Sequence, residues 1–228
     1  MSIPTQLSIL RDEIRVAASA AGYGPVGLLA ISKQQPSAAI AHLATQGQRA
    51  FGENYVQEAR GKIDDLKLHE LEWHLVGHLQ SNKAELAANL FDWIHTIDRA
   101  KLIQPLAHHR SVNRPPLNVL IQVNIDAQAS KHGCPPAHIP TLAELIAKQP
   151  QLCLRGLMAI PSPDPHNVHE AFQRMRSLFD QLRQYSSHID TLSMGMSVDF
   201  KQAIACGATL VRLGTALFGP RLTTASIR

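Results

Sequence analysis

Lys33 follows directly on the apolar run Val26-Gly27-Leu28-Leu29-Ala30-Ile31-Ser32. An ε-ammonium at the end of a buried strand is partly desolvated, which lowers its pKa and frees the amine to condense with an aldehyde. Most strand-end lysines simply end in solvent, so Lys33 takes its meaning from its surroundings. Gly195 with Ser197, and Gly214 with Thr215, place small residues where helices should open. Backbone N–H groups there can reach an anion such as a phosphate. His74 and His78 have a spacing that binds metal on a helix. Here it falls at a strand end, where side chains four apart need not converge, and no metal site is expected. A Ser-His-Asp triad is not expected either, since no GxSxG occurs.

These residues need elements to position them. Apolar strand-like runs lie near 26–32, 49–52, 72–77, 92–97, 117–124, 153–160, 190–194 and 209–213. Between them the apolar spacing turns helical, over 37–46, 55–68, 81–89, 99–109, 139–148, 167–186 and 198–205. Strand and helix alternate eight times, with near-continuous apolar strands. That pattern predicts parallel strands covered by helices, and favours a closed (β/α)8 TIM barrel over an open sheet. A helix over residues 1–21 precedes the first strand as an addition. The Pro-rich pieces Arg114-Pro115-Pro116 and Pro161-Ser162-Pro163-Asp164-Pro165 read as loops. One domain over residues 1–228 is expected.

In such a barrel the chemistry gathers at the C-terminal strand ends. There the sequence places Lys33, Glu53 and Asn54, His78 and Gln80, Asp98, Asn124, Met158, Ser193 and Ser197, then Arg212, Gly214 and Thr215. The loops after the seventh and eighth strands are where barrels often hold phosphate.

Composition narrows the class. With 45% hydrophobic and 18% charged residues the chain reads as an ordinary globular protein. The 22 Lys and Arg give a net charge of +4 but form no run of five, so no nucleic-acid partner is expected. Cys134, Cys153 and Cys206 are odd in number and form no CxxC, which fits a reducing cytoplasm. Charged residues break the N-terminal helix, and no apolar stretch reaches membrane-spanning length.

Six segments occur in order: Ala30-Ile31-Ser32-Lys33; Phe51-Gly52-Glu53-Asn54-Tyr55-Val56-Gln57-Glu58; Trp73-His74-Leu75-Val76-Gly77-His78-Leu79-Gln80-Ser81-Asn82-Lys83; Arg155-Gly156-Leu157-Met158-Ala159-Ile160-Pro161; Leu192-Ser193-Met194-Gly195-Met196-Ser197; and Val211-Arg212-Leu213-Gly214-Thr215-Ala216-Leu217-Phe218-Gly219. Together, from about Val26 to Arg221, they resemble the pyridoxal phosphate homeostasis family, which is similar in fold to the N-terminal barrel of alanine racemase. The resemblance implies pyridoxal 5′-phosphate as cofactor, with Lys33 as its Schiff-base lysine. It implies that Ser197, Gly214 and Thr215 hold the phosphate, Arg212 faces the pyridine nitrogen, Asn54 lies beside the ring substituents and Met158 lines the ring. Val198, Phe200 and Lys201 depart from the family's usual small or polar, aliphatic and acidic residues there, which implies weaker phosphate binding.

An Arg beside the pyridine nitrogen cannot give up its proton, so it leaves the ring unprotonated and a weak electron sink. That argues against a transaminase. It permits a small amino-acid racemase, the alternative reading, but racemisation also needs an acid/base on the opposite face. In alanine racemase that group is a tyrosine from a further domain of the partner subunit. This chain ends at Arg228, and none of Tyr23, Tyr55 and Tyr185 takes that role by sequence. The expectation is therefore a carrier or regulator of the cofactor, with no catalytic residue assigned and apo pyridoxal phosphate enzymes as partners. A cytoplasmic monomer is expected.

Overall fold

The computed structural model describes residues 5–162, 164 and 167–219. Residues 1–4 of the expected first helix, Pro163 and Pro165 of the Pro-rich loop, and the chain end at Arg228 lie outside the described residues.

Helix α1 (Gln6–Ala21) starts because Thr5, extended at φ −77°, turns its hydroxyl to accept the Ser8 N–H at 3.2 Å. It stops because Gly22 enters the left-handed region at φ 72°. Leu7, Leu10, Ile14 and Ala18 recur at helical spacing and are buried. Each of the three large ones contributes roughly 1.5–3 kcal/mol by leaving water.

Eight strands follow, each at its expected place: β1 (Gly27–Ile31), β2 (Ala50–Glu53), β3 (Glu72–Leu75), β4 (Trp93–Ile97), β5 (Leu117–Gln122), β6 (Leu152–Met158), β7 (Thr191–Ser193) and β8 (Leu210–Leu213). All pair in parallel in sequence order, and β8 closes on β1 with Leu29 opposite Arg212 and Ala30 opposite Leu213. The result is the expected (β/α)8 barrel. Its outer helices are α2 (Ser37–Thr45), α3 (Val56–Asp65), α4 (Ala84–Leu90), α5 (Ile103–His109), α6 (Ile139–Ala147), α7 (Val168–Arg183), α8 (Phe200–Ala205) and α9 (Thr215–Phe218).

Successive strand residues face opposite sides, and the burial divides accordingly. Trp73, Leu75, Ile94, Leu192, Val211 and Leu213 belong to the large apolar layer beneath the helices. On the alternate positions, Trp93, Leu120 and Met158 form a small separate apolar cluster. Alternate positions of β3, β4, β7 and β8 also carry buried polar groups: His74, His95, Ser193 and Arg212. A barrel interior of this kind is normally filled with branched aliphatics, so its polarity here calls for a chemical reason.

Two glycines are forced by close approach. A Cβ on Gly156, at φ 145°, would lie 2.0 Å from the Thr191 carbonyl oxygen, and the β5–β6 register shifts beside it. A Cβ on Gly77 would lie 2.0 Å from the carbonyl oxygen of Asn54. Gly77 thereby lets the loop after β3 press against the loop after β2.

Candidate cofactor site at the barrel mouth

Lys33 is half-buried and follows the fully buried Ser32 at the end of β1. The turn that carries it is held from below. The Ser32 hydroxyl donates to Glu53 Oε1 at 2.6 Å, while Lys62 Nζ of α3 donates to the Ser32 carbonyl at 2.7 Å, to Glu53 at 2.8 Å and to Glu58 at 2.7 Å. Burial pushes the Glu53 carboxyl up, against the lowering effects of Lys62 and Ser32. Gln34, next after Lys33, sits at φ 61° and donates its N–H to Glu58 at 2.5 Å. A non-glycine residue in that region is strained, and Glu58 supplies part of what holds it. Sequence reasoning missed Lys62 because only the β1–β2–α3 packing brings it beneath Lys33's turn.

Arg212 on β8 is buried. Its Nη1 donates to Ser193 Oγ at 2.8 Å and its Nη2 to the Ala159 carbonyl at 2.8 Å. Burial lowers its pKa to about 10, opposed by Asp199, so it stays charged at neutral pH. Two of a guanidinium's five N–H donors are thus used among the described residues, which leaves three for a ligand.

The loops after β7 and β8 meet as expected, with one correction. Residues 198 and 199 are not helical: α8 begins at Phe200, after Asp199 turns its carboxylate back to accept the Met196 N–H at 2.5 Å. Ser197 therefore does not open α8. It reaches across instead, and its Oγ accepts the Ala216 N–H of α9 at 3.2 Å. Gly214 caps α9 and Thr215 is its first residue. Their backbone N–H groups donate to no described residue. Ser197 of one loop thus meets Gly214 and Thr215 of the other, whose two backbone N–H groups have no acceptor among the described residues.

Asn54 is half-buried after β2, placed by the Gly77 contact. Met158 ends β6 fully buried against Trp93 and Leu120, a floor to the mouth and not a rim.

His74 and His78 do not converge. His74 points into the barrel toward His95, whereas His78 stacks on His132 at 3.8 Å between ring centroids and faces Asp98 at 3.6 Å. Burial, then His132, lowers the His78 pKa. One ligand atom from each of His78, Asp98 and His132 lies within 4.8 Å of the others. This trio, and not His74 with His78, is where the described residues bring possible metal ligands together.

The Alanine racemase, N-terminal domain family matches residues 6–221. A Pseudomonas aeruginosa protein named pyridoxal phosphate homeostasis protein is 49% identical over 224 residues, 96% of either chain. The chain belongs to the pyridoxal phosphate homeostasis protein family. Among solved structures, PipY of Synechococcus elongatus with PLP bound is 36% identical and superposes with a TM-score of 0.81, covering 94% of this chain and 98% of that one. Alanine racemase from Corynebacterium glutamicum, at 16% identity and a TM-score of 0.67, shares the fold over 94% of this chain and 61% of its own.

Within this homeostasis family the departures at α8 find local explanations. Phe200 is buried in the helix layer, and Lys201 pairs with Glu13 of α1 at 2.8 Å. Val198 is exposed, and nothing in the structure explains it.

Proposed function

We propose that this chain binds pyridoxal 5′-phosphate at the barrel mouth, as a Schiff base on Lys33, and serves intracellular homeostasis of that cofactor with little or no turnover. The observation that carries the reading is a juxtaposition across the β8–β1 seam. A half-buried lysine, a buried guanidinium with spare donors and two free backbone N–H groups occupy adjoining strand ends. The residues present fit the group. Gly214, Thr215 and Ser197 suit a phosphate dianion, Arg212 suits a pyridine nitrogen that accepts a hydrogen bond, and Lys33 suits an aldehyde. Asn54 flanks the ring, and Met158 closes its floor. The curated relative's name and the ligand of PipY agree with this.

When bound, the cofactor supplies an electrophilic carbonyl and an anionic handle. The protein holds both and keeps the ring nitrogen facing a cation that does not release its proton. Racemisation would need a second proton-transfer group opposite Lys33. Tyr23, Tyr55 and Tyr185 are all exposed, between 52% and 79%, and offer no preorganised candidate. The protein acts as one barrel domain and as a monomer in the cytoplasm, with apo pyridoxal phosphate enzymes as recipients. The three cysteines are free, and burial pushes the Cys134 thiol up to about 12, which leaves it inert.

The test is spectroscopic. Protein loaded with pyridoxal 5′-phosphate should show a cofactor absorbance band, and borohydride should fix the label on the peptide containing Lys33. Lys33→Ala should lose the band and keep its circular dichroism. Label on Lys62, or an undiminished band in Lys33→Ala, overturns the assignment. Rapid deuterium exchange at the α-carbon of a free amino acid, with inversion, would make the protein a racemase instead.

A further inference from the structure

The polar groups inside the barrel form one continuous chain from its mouth to its opposite end. Arg212 Nη1 lies 2.8 Å from Ser193 Oγ, which lies 3.2 Å from His95 Nδ1. His95 Nε2 lies 2.9 Å from His74 Nδ1, and His74 Nε2 lies 2.8 Å from Glu72 Oε1. Every member between Arg212 and Glu72 is buried, while the Glu72 side chain, at the N-terminal end of β3, is 48% exposed.

Donor counting sets the direction of this chain. A guanidinium only donates, so Ser193 accepts from Arg212 and has its own hydrogen left for His95 Nδ1. That nitrogen is then an acceptor, and the His95 hydrogen sits on Nε2, aimed at His74 Nδ1. His74 in turn carries its hydrogen on Nε2, aimed at a carboxylate that only accepts. Each contact then has one donor and one acceptor. With neutral imidazoles the reverse order would set a bare His74 nitrogen against the Glu72 oxygen, two acceptors 2.8 Å apart.

Electrostatics agree. Burial first, then His74 and Arg212, hold the His95 pKa well below the imidazole range, so His95 is neutral. The hydrogen bond from His74 holds Glu72 below the usual carboxylate range. Among the described residues no carboxylate forms an ion pair with Arg212, and Asp199 acts on it only through space. Arg155 of β6 also faces Glu72, but it is committed to Asp190 and to Asn118.

We propose that Glu72 is the remote counter-charge of Arg212, acting through His74, His95 and Ser193, and that this relay sets how the guanidinium meets the ring nitrogen of the cofactor. Glu72, His74 and His95 are positioning residues: they touch Arg212 only through Ser193. The cofactor half of this inference rests on the proposed function; the relay itself does not.

Two measurements separate the two. In cofactor-free protein, nitrogen-15 NMR of the imidazoles should find His95 and His74 both protonated on Nε2 alone. His95 protonated on Nδ1, or a doubly protonated His74 at neutral pH, overturns the relay whatever the protein binds. In cofactor-loaded protein, Glu72→Gln keeps an acceptor for His74 and removes only the charge. It should shift the absorbance maximum of the bound cofactor or the pH midpoint of that band. Ser193→Ala cuts the chain next to Arg212, and Glu72→Gln added to it should then produce no further shift. An unchanged spectrum in Glu72→Gln, or fully additive shifts, overturns the proposal. If wild-type protein takes up no cofactor, the functional reading fails while the NMR result still decides the relay.

Discussion

In the proposed function Lys33 and Arg212 make opposite demands on the same mouth, since one has to shed its proton and the other to keep it. The protein meets them with different degrees of burial. Lys33 is half-buried, on a turn held by a buried ion pair beneath it; Arg212 is buried but retains a pKa of about 10. Between them the proposed phosphate site is built from small groups, and this yields a graded prediction. Thr215→Ala should weaken pyridoxal 5′-phosphate by roughly 1.5–3 kcal/mol for a lost bond to an anion, about ten- to hundredfold in dissociation constant. Thr215→Asp should be worse, because it sets a carboxylate against the phosphate, whereas unphosphorylated pyridoxal should bind both variants nearly as it binds wild type. Equal losses for the two ligands would move the phosphate elsewhere. The places of the seven residues assigned by resemblance, at or just beyond strand ends, were legible from the strand pattern, while their roles toward the cofactor are what the proposed experiments test. Glu72, His74 and His95 were not legible as a group. Their contacts depend on β3 and β4 pairing with His74 opposite Trp93, which sets His95 beside His74.

The strands were legible to within about two residues at either end, because burial on both faces leaves near-unbroken apolar runs. Helix starts were less so. Residues 81–83 and 100–102 are short 3-10 turns ahead of α4 and α5, and α8 loses two expected residues to the Asp199 turn. Polar residues at such starts satisfy backbone groups locally, and sequence periodicity does not report that. The loop after β3 carries a sharper constraint. Gly77→Ala puts a methyl group into the Asn54 carbonyl, so it should cost about 1–3 kcal/mol of stability in urea denaturation. The same change should loosen cofactor binding by displacing Asn54. Asn54→Ala alone should leave stability near wild type, and equal destabilisation by the two variants would contradict this account of the glycine.

At the scale of the molecule the polar barrel interior should write itself into the pH dependence of folding. His95 stays unprotonated in the folded barrel well below the pH at which an unfolded histidine charges. Below about pH 6.5 the unfolded chain therefore binds one more proton at this site, and stability must fall as pH falls, with a slope approaching about 1.4 kcal/mol per pH unit. His95→Gln should be destabilised at pH 7 and lose part of that slope, so its deficit relative to wild type should shrink between pH 7 and pH 5. A constant deficit would mean that His95 does not resist protonation. The β8–β1 closure has a reach of a different sort. It joins Leu29 to Arg212, residues far apart along the chain, and such contacts form only after a long stretch of backbone has already been ordered. A ligand tethered to the end of β1 and gripped beyond β8 would act as a clasp across the last seam of the barrel to shut. Cofactor occupancy would then be recorded in how slowly β1 and β8 come apart, and a cell that depletes the cofactor would loosen the protein along that seam.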